Sequence, residues 1–148
     1  MSYLSVITLE RAKNYLRIDA DLTDDDTEIT SMINGALRFI EKRTNHIMFT
    51  QSKTYTGKCN VKVYDYPINS ITTDPNPVVE LFSLYTVYDD VETVTLNVGY
   101  AVNTVPDDLI QPMLQMIKVW YYESEKQVNS TLIPESVKEA LDLNKRFL

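Results

Sequence analysis

The sequence has one cysteine, one histidine and three glycines in 148 residues. Cys59 alone excludes an intramolecular disulfide. Catalysis or metal binding through histidine would have to centre on His46, which follows a predicted helix end, where an imidazole commonly acts as a polar cap. Cys59 lies in a predicted turn with nothing nearby to stabilise a thiolate. The glycines, Gly35, Gly57 and Gly99, are too few and too scattered for a phosphate-cradling loop. No apolar run approaches the ~18 residues of a membrane span. The start, MSYLSVITLERAK, lacks the basic and apolar blocks of a signal peptide. The expectation is a soluble protein made in a reducing cytoplasm. The Asn129-Ser130-Thr131 sequon is then incidental. Positive charge is also scarce: 14 Lys and Arg stand against 21 Asp and Glu, a net charge of −7. General nucleic-acid or anionic-membrane binding needs clustered bases and is disfavoured.

What remains is an ordinary globular composition, 44% hydrophobic and 24% charged, at the length of one domain with a real core. "ITLERAKNYLRID" predicts a helix over about 8–17, with Thr8 as N-cap and Leu9, Ala12 and Leu16 on one face. A second helix is expected over about 24–44. Its stripe is Ile29, Met32, Ile33, Ala36, Leu37 and Ile40, with Glu41, Lys42 and Arg43 on the solvent side. Thr23 and Asp26 resemble a capping box with Asp in place of Glu.

Between the helices, "DADLTDDDTEIT" tempts a calcium reading, because Asp19, Asp21 and Thr23 fit loop positions 1, 3 and 5. The discriminating positions fail: Asp24 stands where glycine is needed and Thr30 where glutamate is needed. A solvated acidic loop capping a helix is expected instead.

The pattern changes period over about 50–100. "SKTYTGKCNVKVYDYP" reads as two strands around a turn at Gly57–Asn60. "TTDPNP" reads as an exposed loop. "LFSLYTVY" and "TVTLNVGY" read as strands joined near Asp89-Asp90. In the last, Val94, Leu96, Val98 and Tyr100 alternate with polar residues, and Gly99 marks a bulge or the strand end.

"VPDDLIQPMLQMIKVWYYESEK" predicts a helix over about 106–126. Pro106 suits N1, Asp107 and Asp108 suit the positive end, and Pro112 should bend the helix or loosen its first turn. It is apolar nearly all round, so its own fold or neighbouring chains must cover it. Trp120, Tyr121 and Tyr122 point in directions about 100° apart. Trp120 continues the core stripe of Leu109, Met113, Met116 and Ile117, and Tyr121 and Tyr122 are candidate oligomer-interface residues. A last helix is expected over about 134–146, with Val137, Leu141 and Leu143 on its apolar side. The chain ends on Lys145, Arg146, Phe147 and Leu148. One reading is a cationic helix end with a frayed tail; the other is a docking segment.

The order of these pieces, with "TLERAKNYLRID" near the start and "GY…VPDDL…WYYESEK" near the end, resembles the head–tail connector family of tailed bacteriophages. These are also called adaptor, head-completion or possible DNA-packaging proteins. The resemblance covers most of the chain. It implies a single α+β domain over 1–148, mainly α, with a helical bundle and an inserted antiparallel β hairpin or small sheet. It implies a structural virion protein of the neck, assembled in the host cytoplasm, with no catalysis, no cofactor and no metal. It implies a ring of about twelve subunits beneath the portal protein. Such a ring extends the DNA channel and supports a stopper or tail-completion protein. DNA would pass without sequence-specific binding, and an acidic channel wall would let it slide. On this reading Lys145, Arg146, Phe147 and Leu148 are the candidate portal contact. The alternatives are another neck component, a stopper or tail-completion protein, or a small acidic metal-binding protein or enzyme using Asp19, Asp21, Asp25 and Glu28.

Overall fold

The computed structural model describes residues 2–72, 78–82, 84–125 and 133–144, with only the backbone of Ser124 and Glu125. A short 3-10 turn, Tyr3–Ser5, precedes α1 (Leu9–Leu16) and α2 (Asp26–Thr44). Six strands follow: β1 (Gln51–Thr56), β2 (Asn60–Val63), β3 (Ile68–Ile71), β4 (Val78–Leu81), β5 (Thr86–Asp89) and β6 (Thr93–Val98). Then come α3 (Asp107–Glu125) and α4 (Glu135–Asn144). The fold is α+β, a helical bundle carrying two small antiparallel sheets.

Thr8 caps α1, its hydroxyl accepting from the Arg11 N–H at 3.1 Å. α2 starts later than expected. Asp25, not Thr23, precedes its first turn, and Asp25 makes no side-chain cap bond. The Thr23 carbonyl instead accepts from the Asp26 N–H, closing a turn ahead of the helix. The helix stripe is buried as its period dictates: Ile29, Ile33, Ala36, Leu37 and Ile40 form the bundle core with Leu109, Met113, Met116 and Ile117 of α3.

α3 is apolar on several sides because α1, α2 and α4 all pack on it. Pro112 is buried inside it, where its ring leaves the Asp108 carbonyl without the usual helix donor. Val137 and Leu141 seat α4 on the bundle, but Leu143 is 89% exposed and takes no part in that seam. Glu41 also departs from the solvent-side expectation. Its carboxylate accepts from the Tyr3 hydroxyl at 2.6 Å and from the Met48 N–H at 2.8 Å, pinning the start of the chain and the start of the β unit to α2.

The strand pairing is not the local one that the sequence suggests. β1 pairs with β6 and β2 with β5, all antiparallel, and the third strands are β3 on β6 and β4 on β5. The register is preserved across each break: Thr56 faces Thr93, then Asn60 faces Asp89, with equal gaps on both arms. Likewise Ile71 faces Leu96 and Val78 faces Asp89. The two sheets thus keep one register on either side of the break, as the two halves of a folded ribbon.

Connectivity requires that fold. Val63 faces Thr86 and Ile68 faces Val98, positions that would lie ~40 Å apart along a straight central arm. The link from Val63 to Ile68 can reach only ~18 Å. The folded ribbon closes over its own small core of Val61, Val63, Tyr88, Val94, Leu96 and Val98, with Ile47. Gly57 stands at the fold, where a Cβ would come within 1.9 Å of the Asn60 carbonyl oxygen. Asp90 takes a left-handed backbone (φ 57°) at the matching place on the central arm.

Candidate assembly interface

The acidic segment is held from within the subunit. Lys13, on the same face of α1 as Leu9, Ala12 and Leu16, is only 4% exposed. Its ammonium donates to the Ala20 carbonyl at 3.0 Å, to the Leu22 carbonyl, and to Asp26 Oδ1 at 2.8 Å. The segment from Asp19 to Glu28 contains no base, so the balancing charge had to come from an earlier element. The available signal was a lysine on an apolar stripe just ahead of an acid run. Asp19, Asp21, Asp24, Asp25 and Glu28 stay exposed. Among the described residues, no three His, Cys, Asp or Glu side chains lie close enough together to hold a metal ion.

His46 is not a surface cap. Asn45 ends α2 with a left-handed backbone, its N–H donating to the Glu41 carbonyl at 2.9 Å. His46 lies buried beyond it, stacked on Tyr100, edge-on to Tyr66, with Nδ1 2.7 Å from the Tyr100 hydroxyl. This cluster locks the bundle to the sheets: Ile47 donates to the Tyr66 carbonyl and accepts from Tyr100, while Gly99 donates to Pro67. Cys59 is exposed at the ribbon fold.

Three tyrosines are held neutral far into the alkaline range. Burial, then the Glu41 carboxylate, pushes Tyr3 up to about 12, partly offset by Arg38. Burial and the Asp65 carboxylate, which accepts from the Tyr55 hydroxyl at 2.7 Å, push Tyr55 up further. Burial alone raises Tyr88. The Tyr3 and Tyr55 hydroxyls act as donors to carboxylates that tie elements together.

The aromatic triplet of α3 divides by direction. Trp120 is half-buried against the core and against Gly35 of α2, and its indole N–H meets no acceptor among the described residues. Tyr121 is buried, its hydroxyl donating to Asp25 Oδ2 at 2.7 Å. Tyr122 donates to the Leu16 carbonyl at 2.8 Å yet stays 39% exposed, edge-on to the Tyr121 ring. Beside it, Lys118, Val119 and Glu123 line a shallow groove on the outer side of α3, and Lys118 lies over the Tyr15 ring. The last candidates, Lys145, Arg146, Phe147 and Leu148, lie outside the described residues, as does most of "TTDPNP". Among the described residues, no helix is long and apolar enough to cross a membrane.

The sequence profile of phage gp6-like head-tail connector proteins matches residues 6–148. The chain belongs to that family. Two solved structures share the connector's fold. One, from the neck of an empty gene transfer agent (GTA) particle computed with C6 symmetry, aligns with a TM-score of 0.75 at 14% identity, covering 97% of this chain and 91% of that one. The other, from the virion of a native GTA particle, aligns with a TM-score of 0.76 at 12% identity, covering 100% and 93%. No curated protein matches the connector.

Proposed function

We propose that this connector is a structural neck protein without catalytic activity. It forms a ring of about twelve copies beneath the portal, extends the DNA channel and presents a surface for a stopper or tail-completion protein. The observation that carries this reading is the family match over residues 6–148. The solved neck with the same fold was computed with C6 symmetry, which a subunit number divisible by six satisfies. The negative balance of −7 suits a wall along which DNA slides without being gripped.

The exposed ring of Tyr122, with Tyr121 edge-on behind it to hold its orientation, meets a neighbouring subunit. The terminal Lys145, Arg146, Phe147 and Leu148 engage the portal, the cations meeting acids and the apolar pair a groove. Ring symmetry lets each such contact be weak.

The test is reconstitution with portal rings of the same phage, followed by native mass spectrometry and electron microscopy. A closed ring seated on the portal is expected. Deletion of 145–148 should leave the melting temperature unchanged and abolish portal binding. Full binding by the truncated chain would remove the tail contact, and binding only to a preformed portal–adaptor complex would make the protein a stopper instead.

A further inference from the structure

Segment 78–84, VVELFSL, contains one charge and leaves its apolar side chains in solvent. Val78 is 67% exposed, Leu81 82% and Phe82 45%, with Val79 and Leu84 also exposed. β4 within it pairs only with β5, so its outer backbone edge meets no strand among the described residues. An apolar, unpaired edge is a template for another strand, and proteins that remain monomeric blunt such edges with charge, proline or a covering element.

The opposite edge of the same sheet supplies a match. β2 also pairs only with β5, and its outer edge meets no strand among the described residues. β2 and β4 are flush: Asn60 and Val78 both face Asp89, and Val63 and Leu81 both face Thr86. Each has one charge, at the same level, since Lys62 and Glu80 both face Val87. Neither makes an ion pair among the described residues; Lys62 lies over the Tyr85 ring at 5.6 Å.

We propose that β4 of one copy pairs with the outer edge of β2 in the next copy, running the sheet from subunit to subunit. Both strands are antiparallel to β5, so they are parallel to each other. A neighbour generated by a modest rotation therefore presents β2 in the correct sense. The flush register sets Glu80 beside Lys62 of the next copy and covers Val78, Val79 and Leu81. The contact is head-to-tail, so it continues from copy to copy rather than stopping at a dimer, and it gives a ring where the rotation between copies closes. A two-fold β4–β4 pairing would instead bring the two Glu80 side chains close together. This proposal rests on the ring reading above and assigns its seam.

The test uses the full chain with Cys59→Ser, carrying Lys62→Cys and Glu80→Cys together. Within one copy β5 separates these positions by two strand spacings, ~9.6 Å, beyond the ~7 Å that a disulfide tolerates between Cα atoms. Mild oxidation should therefore give a covalent ladder running past the dimer, with no ladder from either single variant. In parallel, Glu80→Lys should lose ring formation at least tenfold while melting like the parent. Lys62→Glu added to it should restore the ring. If the parent forms rings but no ladder appears and Glu80→Lys still assembles, the seam lies elsewhere and only this inference fails. Dimers from Glu80→Cys alone would replace it with the two-fold pairing. A parent that stays monomeric even on portal rings would overturn the ring reading, and this inference with it.

Discussion

Replacing Lys13 with methionine should loosen the start of α2 and the acidic segment together. Methionine keeps most of the apolar stem packed on the bundle and removes only the ammonium. Lost are hydrogen bonds to the Ala20 and Leu22 carbonyls and the ion pair to Asp26. Hydrogen bonds to a charged group are each worth about 1.5–3 kcal/mol, and breaking a buried ion pair costs about 3–5 kcal/mol. The full sum overstates the effect, because the acceptors are not sealed in. Ala20 and Leu22 are exposed and can rehydrate. Asp26 keeps 28% side-chain exposure and the positive end of α2. A loss of about 2–4 kcal/mol follows. With an unfolding entropy of about 0.3 kcal/mol per kelvin for a chain of this size, the melting temperature should fall by about 10 °C. Differential scanning calorimetry of Lys13→Met, Asp26→Asn and the double variant would measure it. The double-mutant coupling should reach at least about 1 kcal/mol. A melting temperature within about 3 °C of the parent, or coupling near zero, would refute the idea that Lys13 organises this segment.

Tyr122→Ala should lower stability by about 2–3 kcal/mol, for the lost hydrogen bond, the edge-on Tyr121 contact and the covered part of the ring, and weaken ring assembly measured by native mass spectrometry; unchanged assembly would remove it from the interface. Tyr121→Phe, which removes the hydroxyl and its bond to Asp25, should cost about 1 kcal/mol in urea unfolding and leave assembly intact. The raised tyrosines predict an alkaline limit: their unfolded hydroxyls ionise near pH 10, while Tyr3 in the fold does so at about 12. Their stabilisation is present below about pH 10 and is lost as pH rises through the folded values. A spectrophotometric titration should therefore show a late fraction ionising with unfolding; all ten tyrosines titrating near pH 10 in the folded protein would refute it. Gly99→Ala puts a Cβ 2.1 Å from the Phe49 carbonyl oxygen at φ 106°, so it should cost more than about 3 kcal/mol, read as a melting shift of about 10 °C or more.

The four helices and most of their buried stripes were legible in the sequence alone, Leu143 and Glu41 excepted. Their information is local: a period of 3.6, a cap at Thr8, and acids at the starts of α2 and α3. The apolar girth of α3 was legible too, as was the connector family. What covers α3 was not legible, because its partners α1, α2 and α4 are distant in sequence, and only packing shows that they take most of it. The β unit shows the limit most clearly. Alternation marked each strand, but alternation is the same whether a strand pairs with its neighbour or with an arm 37 residues on, as Thr56 does with Thr93 and Gln51, further still, with Val98. The short 64–67 link forces the ribbon to fold, and that is a constraint of length in three dimensions. The same holds for single side chains. A lysine's charge says nothing of whether it meets water, as at Lys62, or is buried and donates to three oxygens, as at Lys13. Tyr121 and Tyr122 are identical by composition and adjacent in sequence. The ~100° turn between them buries one ring, with its hydroxyl on Asp25, and leaves the other exposed at the surface.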